Sequence, residues 1–578
     1  MARVRHALPL CSVLLLLLPL ALSCARQPEY DLLIRGGTIY DGTGAAGHAG
    51  DIAIAGDRIA YVGSAAPGSA RRVIDATGKA VTPGFINMLS WSTESLLIDG
   101  RGQGELRQGV TLQVMGEGDS MGPLTPRMKE EMTAQQGDLK YEVSWTTLGE
   151  YLETLERRGI SQNVASHIGA ATARMNLLGS EDIDPTAEQL AAMQEVVRRA
   201  MEEGALGVAS SLIYVPGTFA ETAELVALAS AAARCGGIYA THMRSEGRRL
   251  LEALEETIEI SRRSGAPAEI YHLKAAGREN WPKLEPAIAR IEAARREGLR
   301  ITADMYAYPA GSTGLDAAMP PWVQEGGNAA WYARLRDPAV RARVAAEMQR
   351  DEPGWSNTMR EAGGPENVLI VGLRKESLKP LIGKTLAAIA AERGVAPEVA
   401  AMDLVAEDES RVQSVYFLMS EDEVRRKAAL PYMSFGSDGT AVSAEGVFLK
   451  SSLHPRGYGN FARVLARYVR DEGIVPIEDA VRRMTGHPAA VLGLRQRGLL
   501  REGYFADLVV FDPATIQDHA TYEQPHQYAT GVSHVIVNGT LALDDGEPTD
   551  ARPGRVVRGR AWTGWEDGGC RESAASWD

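Results

Sequence analysis

The chain has 578 residues, 45% of them hydrophobic and 24% charged, with 60 glycines and a formal net charge of −14. That length exceeds one small core and calls for several domains, or for one large barrel with a smaller module beside it. The acidic balance argues against nucleic acid as a partner, because that function needs a clustered basic face.

Arg3, Arg5 and His6 precede an apolar run from Leu8 to Leu22, which Ser23-Cys24 follows. A charged start and an apolar core too short for a stable membrane span read as a secretory signal over residues 1–24. Ala21-Leu22-Ser23-Cys24 resembles a bacterial lipoprotein cleavage box, with Ala21 where leucine is usual. The resemblance implies an exported protein, periplasmic or tethered to the membrane through lipidated Cys24. The alternative is a plain signal peptide with an incidental cysteine. Cys235 and Cys570 then remain, so no disulfide framework is expected, and Cys235 reads as a buried inert thiol just before a strand.

From Tyr30 to Thr82, short alternating runs such as Asp51-Ile52-Ala53-Ile54 are broken by Gly and Asp turns, an antiparallel β signature. The same texture returns late, in Leu508-Val509-Val510-Phe511 and Val535-Ile536-Val537-Asn538-Gly539. Residues 30–82 and 495–550 are therefore expected to form one small β-sandwich from both chain ends. Between them, over 83–494, apolar strand-like runs alternate with amphipathic helical stretches, which predicts an α/β protein built on a TIM-type (β/α)8 barrel. The expected strands are Val81–Leu89, Val110–Met115, Gln162–Ile168, Leu206–Ser210, Ile238–Thr241, Glu269–Tyr271, Ile301–Met305 and Met433–Gly436. Near 311–367 the alternation fails among Pro320-Pro321, Gly326-Gly327 and Gly363-Gly364, and an insertion beside the barrel mouth is expected there.

Two of these strands carry the chemistry. Gly236-Gly237-Ile238-Tyr239-Ala240-Thr241-His242 and Ala268-Glu269-Ile270-Tyr271-His272 each end in histidine, with a helical pattern between them. In a parallel sheet that repeat brings His242 and His272 together at neighbouring strand ends, as a metal hydrolase requires. A lone histidine is more often a core residue bonded to a backbone carbonyl. Two at adjacent strand ends favour metal binding.

Ile34-Arg35-Gly36-Gly37, Val73-Ile74-Asp75-Ala76-Thr77-Gly78-Lys79 and Pro83-Gly84-Phe85-Ile86 resemble the opening of an amidohydrolase-superfamily enzyme. Ala240-Thr241-His242-Met243-Arg244-Ser245-Glu246, Tyr271-His272-Leu273-Lys274 and Gly436-Ser437-Asp438-Gly439 narrow the resemblance to the N-acyl-D-amino-acid deacylase (D-aminoacylase) branch. Gly503-Tyr504-Phe505-Ala506-Asp507-Leu508-Val509 fits the C-terminal strand of such enzymes. The resemblance spans nearly everything from Asp31 to about Gly546.

What the resemblance implies is a zinc enzyme in which His242 and His272 are ligands. The family's third ligand follows the strand that here ends Val114-Met115-Gly116, commonly as a cysteine. This chain has Glu117 there, with Asp119 as the fallback, and a carboxylate is an adequate zinc ligand. Asp438 is implied as the general base that activates water and returns the proton to the leaving amine. The superfamily's His-x-His after Pro-Gly-Phe-Ile is replaced by Leu89 and Trp91, neither of which binds zinc, so one ion is expected and a second site is doubtful. The implied substrate is an anion, for which Arg244, Lys274, Tyr306, Ser312 and Arg374 are candidate contacts. His454 and His487, each before proline, read as structural.

The expected function is metal-dependent hydrolysis of the amide of an N-acyl-D-amino acid, the D-stereochemistry coming from the resemblance alone. Beside it stand another cyclic or linear amide hydrolase of the superfamily and a non-catalytic binding lipoprotein on the same scaffold.

Overall fold

The computed structural model describes residues 29–350, 354–560 and 562. The signal segment and Cys24 lie outside the described residues. Within them, no helix is long and apolar enough to cross a membrane.

Eight parallel strands form the barrel: Phe85–Asn87, Val110–Met115, Asn163–Ser166 continued by Ile168–Gly169, Gly207–Ser211, Ile238–His242, Ala268–Ile270, Ile301–Met305 and Met433–Phe435. All eight expected strands are present. They are short and almost wholly buried, because a parallel strand is covered by side chains inside and by helices outside. The ring closes just past the ends of the first and last strands. There the amide of Asp438 donates to the carbonyl of Leu89 at 2.9 Å and that of Trp91 to Gly439 at 2.8 Å.

The helix between the two histidine strands, Leu250–Ser264, shows the connecting logic. Leu250, Leu254, Thr257, Ile258 and Ser261 recur at helical spacing and are buried, while Arg262 and Arg263 occupy the last turn near the negative end of the dipole. Gly265, at φ +74°, ends the helix in the left-handed conformation that glycine adopts without a Cβ penalty. Each fully buried Leu or Ile on such a face contributes about 1.5–3 kcal/mol, so tertiary packing rather than propensity holds these helices.

The chain ends come together as expected. Nine strands make one sheet, in which Ala80–Pro83 pairs antiparallel with Leu508–Phe511, Val81 opposite Val510. The alternating residues Leu32, Ile34, Ile52, Ile54, Leu508, Val510 and Ile536 form its own apolar core. Tyr30–Ile39 bends at a bulge between Ile34 and Gly37, with Gly36 at φ +70°.

The insertion is larger than its expected end near 367. Between the seventh and eighth barrel strands, Gly311–Gly314, Gln413–Tyr416 and Val368–Gly372 form a three-stranded antiparallel sheet. Helices Asn328–Arg334, Pro338–Met348, Leu386–Arg393 and Pro397–Asp408 lie within the same segment. Val368–Gly372 is apolar like a barrel strand, but it pairs with its inserted neighbour and never enters the barrel.

Cys235 departs from expectation. It is buried but disulfide-bonded, and every other cysteine lies outside the described residues.

Candidate metal centre and active-site cavity

The C-terminal ends of the barrel strands converge on one cavity of about 610 Å³. This is the face on which TIM barrels place their chemistry. Glu117, His242 and His272 each bring a ligand atom to within 4.8 Å of the others, and all three are buried. Glu117 Oε1 lies 3.1 Å from His242 Nδ1 and 3.2 Å from His272 Nε2. The two imidazole rings stand edge to face, 4.6 Å apart.

The backbone explains why these side chains meet. Glu117 sits between Gly116 at φ +100° and Gly118 at φ +71°. A Cβ on Gly116 would fall 2.4 Å from the carbonyl oxygen of His167, and one on Gly118 would fall 2.6 Å from Ser211 Cβ. Only glycine on both sides lets the chain turn tightly enough to aim Glu117 inward. His272 and Asp438, neither of them glycine, are held at φ +37° and +49°. Such left-handed residues are uncommon and collect at functional sites. The amide of His272 donates to Asp304 Oδ1 at 2.7 Å, which pins one of them.

Electrostatics favour a cation at this group. Burial pushes the Glu117 carboxyl up, yet the hydrogen bonds with His242 and His272 outweigh it and hold the group far below the usual carboxylate range. For His272, burial and the Lys274 ammonium press the pKa down, while Glu246 and Glu117 more than compensate and it is pushed up to about 10. Carboxylates that draw positive charge onto a buried imidazole this strongly also suit a divalent ion. Two imidazoles and one carboxylate make a ligand set known for catalytic zinc. His272 Nδ1 is in turn flanked by Glu246 Oε1 at 2.9 Å and Lys274 Nζ at 2.8 Å. A carboxylate behind a ligating histidine fixes its tautomer and orientation.

Asp438 lines the same cavity. Burial raises its pKa, opposed by Arg456 and His272. Its Oδ2 is ion-paired with Arg456 Nη1 at 2.7 Å, and its Oδ1 accepts from Trp91 Nε1 at 3.0 Å. Lys274 and Tyr306 also line the cavity, with Lys274 Nζ 5.7 Å and the Arg456 guanidinium 4.7 Å from the Tyr306 ring centroid. Ser312 lines it too, although its hydroxyl donates to the Ser414 carbonyl at 3.0 Å. Asp119, the fallback ligand, is not among the three clustered residues. Its carboxyl is pushed up to about 6 by burial.

Two expected substrate contacts are corrected. Arg244 does not line the cavity. Its guanidinium grips both oxygens of Glu256 at 2.9 Å and the carbonyls of Thr218 and Ala220, so it braces the loop after the fifth strand. Arg374 follows a strand of the inserted sheet, not a barrel strand, and its main chain is held by Asp408. It does not line the cavity either. Sequence reasoning missed Arg456, Glu246 and the role of Trp91. Arg456 stands in His454-Pro455-Arg456-Gly457, a stretch with no local pattern that marks the arginine. His454 is buried and its Nε2 lies 2.9 Å from the carbonyl oxygen of Ala310.

A closed parallel barrel whose strand ends gather two histidines, a bridging glutamate and an aspartate has the architecture of a metal-dependent hydrolase. The chain belongs to the amidohydrolase family, whose model matches residues 72–542. It is 34% identical over 535 residues to a D-aminoacylase of Alcaligenes xylosoxydans xylosoxydans, covering 92% of this chain and 98% of that one. A solved D-aminoacylase, studied for the role of its binuclear metal centre with one-metal activation and second-metal attenuation, superposes with a TM-score of 0.75 at 34% identity. That match covers 92% of this chain and 100% of the other. An N-acyl-D-glutamate deacylase from Bordetella bronchiseptica, complexed with zinc and a phosphonate that mimics the tetrahedral intermediate, gives 0.74 at 31% identity, covering 92% and 99%. The resemblance expected from the motifs therefore holds, as do the fold class and the assignment as an enzyme.

Proposed function

We propose that the protein hydrolyses the amide of N-acyl-D-amino acids with one zinc ion held by Glu117, His242 and His272. The observation that carries this reading is the convergence of those three ligands with Asp438 in a single buried cavity. When bound, zinc supplies a lowered pKa for water and polarises the carbonyl. Asp438 accepts the proton of the attacking water and delivers it to the departing nitrogen. Arg456 stabilises its ionised form before the first transfer and after the second. Lys274 and Arg456, both near the Tyr306 ring, supply the positive charge that receives the substrate carboxylate, with Ser312 lining the same cavity. The names of the relatives support a D-amino acid on the leaving side.

Export, with a tether through Cys24, belongs to the same proposal. It rests on the leader pattern of residues 1–24. Loss of the protein from the membrane fraction in Cys24→Ala checks the tether, and unchanged fractionation would refute it.

The deciding experiment is a paired screen of N-acetyl-D- and N-acetyl-L-amino acids with zinc counted per chain. Turnover of D-substrates by protein holding zinc is expected. Absence of both zinc and turnover would leave only a binding protein on this scaffold.

A further inference from the structure

We propose that Trp91 takes the place of a second cation: its indole N–H ties Glu117 to Asp438 and closes that position to any second ion. The inference rests on the one-zinc reading above and assigns Trp91 as a positioning residue.

Trp91 Nε1 lies 3.0 Å from Glu117 Oε2 and 3.0 Å from Asp438 Oδ1. One N–H is thus shared by the carboxylate that would hold the metal and the carboxylate that would move the proton. Both are buried. Neighbouring buried carboxylates call for positive charge between them, from a metal or from a donor. An indole nitrogen is a donor only and has no lone pair to coordinate a metal. Where it sits, a bridging ion cannot.

The surrounding residues close the alternative. Leu89 is wholly buried in a small apolar cluster with Ala209, Ala240 and Tyr271. An ideal Cβ on Gly436 would lie 3.1 Å from Leu89 Cβ, so there is no slack on that side. Among the described residues, the only other metal-capable group is His534, Asp544 and Asp545, in the terminal sheet.

The clamp also divides the work of each carboxylate. Glu117 turns Oε1 to the imidazoles and Oε2 to the indole, while Asp438 turns Oδ2 to Arg456 and Oδ1 to the indole. The indole itself is held in place, since the amide of Trp91 donates to Gly439 at the barrel closure. A neutral donor therefore sets the spacing between ligand and base without adding a second Lewis acid.

The test is zinc titration by equilibrium dialysis, with metal counted per chain, in an Asp545→Ala background that disables the terminal-sheet group. One zinc per chain is expected at large zinc excess, with turnover unchanged by the excess. In Trp91→Phe, which keeps the ring and loses the N–H, one zinc should remain while kcat falls roughly 10- to 100-fold and KM moves less than about threefold, the scale for one lost hydrogen bond to a charged group. Two zinc ions in the protein with Trp91 intact would overturn the inference and leave the hydrolase reading standing. So would a Trp91→Phe kcat within twofold of the parent. No zinc at all would remove the one-metal reading and this inference together. If Trp91→Phe fails to fold, the titration with Trp91 intact still decides whether a second ion is excluded.

Discussion

Arg456 Nη1 and Asp438 Oδ2 are 2.7 Å apart, both side chains almost wholly buried. The approach is an ion pair without hydrogen-bond alignment, because Arg456 Nε and Nη1 have no such partner. The guanidinium thus neutralises the aspartate. Breaking a buried pair of this kind typically costs about 3–5 kcal/mol, which leaves an uncompensated carboxylate. Arg456→Met is expected to lower kcat/KM by at least ~10²-fold on anionic substrates, with Arg456→Lys intermediate. Steady-state kinetics check it, and an unchanged kcat/KM in Arg456→Met would remove the arginine from the site.

Asp438→Asn keeps the shape of the side chain and removes the base. Zinc content is expected to stay at the wild-type level while kcat falls by about 10²–10⁴-fold, the usual range for general acid–base catalysis. Full activity in Asp438→Asn would contradict the proton-transfer role even with the family unchanged.

Glu117 tests the third ligand. Glu117→Ala should lose stoichiometric zinc, since two imidazoles alone leave the set incomplete. Glu117→Cys supplies a thiolate at the position where the family commonly has one, and should retain both zinc and measurable turnover. Metal analysis after dialysis separates the variants. Retention of a full zinc in Glu117→Ala would point to a different ligand.

Glu246 stands behind His272 at 2.9 Å from Nδ1. Replacing such a supporting carboxylate usually weakens metal binding by ~10- to 100-fold. Glu246→Gln is therefore expected to shift zinc competition against a chelator by that factor, with the fold intact by circular dichroism.

Glu105 gives a pH prediction on stability. It is fully buried beneath the site, accepts from Asn87 at 3.0 and 2.9 Å, and is bonded to Ser437 next to Asp438. Burial pushes its carboxyl up to about 7 from an ordinary 4.5, against the lowering effect of Ser437 and Asn87. The folded state then holds a proton that the unfolded chain has released. Its contribution is full below pH ~4.5, declines as pH rises toward ~7, and is gone above that, a swing on the order of 3 kcal/mol. Glu105→Gln should flatten the fall in Tm between those pH values. A parent and variant with parallel Tm profiles would contradict the assignment.

Much of this was legible in the chain. Periodicity located all eight barrel strands, since a buried parallel strand is a short apolar run whatever surrounds it. His242 and His272 could be paired because strand–helix–strand connectivity places successive strand ends side by side. Alternation with Gly and Asp turns likewise announced a β module from both ends.

What the chain alone left open depends on distance across the fold. Val368–Gly372 has the composition of a barrel strand, and only its antiparallel pairing with Gln413–Tyr416 places it, and Arg374 after it, outside the barrel. Arg244 and Arg456 are both arginines near a histidine; Glu256 claims the first and Asp438 the second. Trp91 reads in sequence as a lost ligand, and in the fold as a donor shared by two carboxylates 26 and 347 residues away. Sequence determined which strands exist and which residue types stand at their ends. Tertiary packing decided which charges meet, because charge pairing depends on separations of about 3 Å that no local pattern encodes.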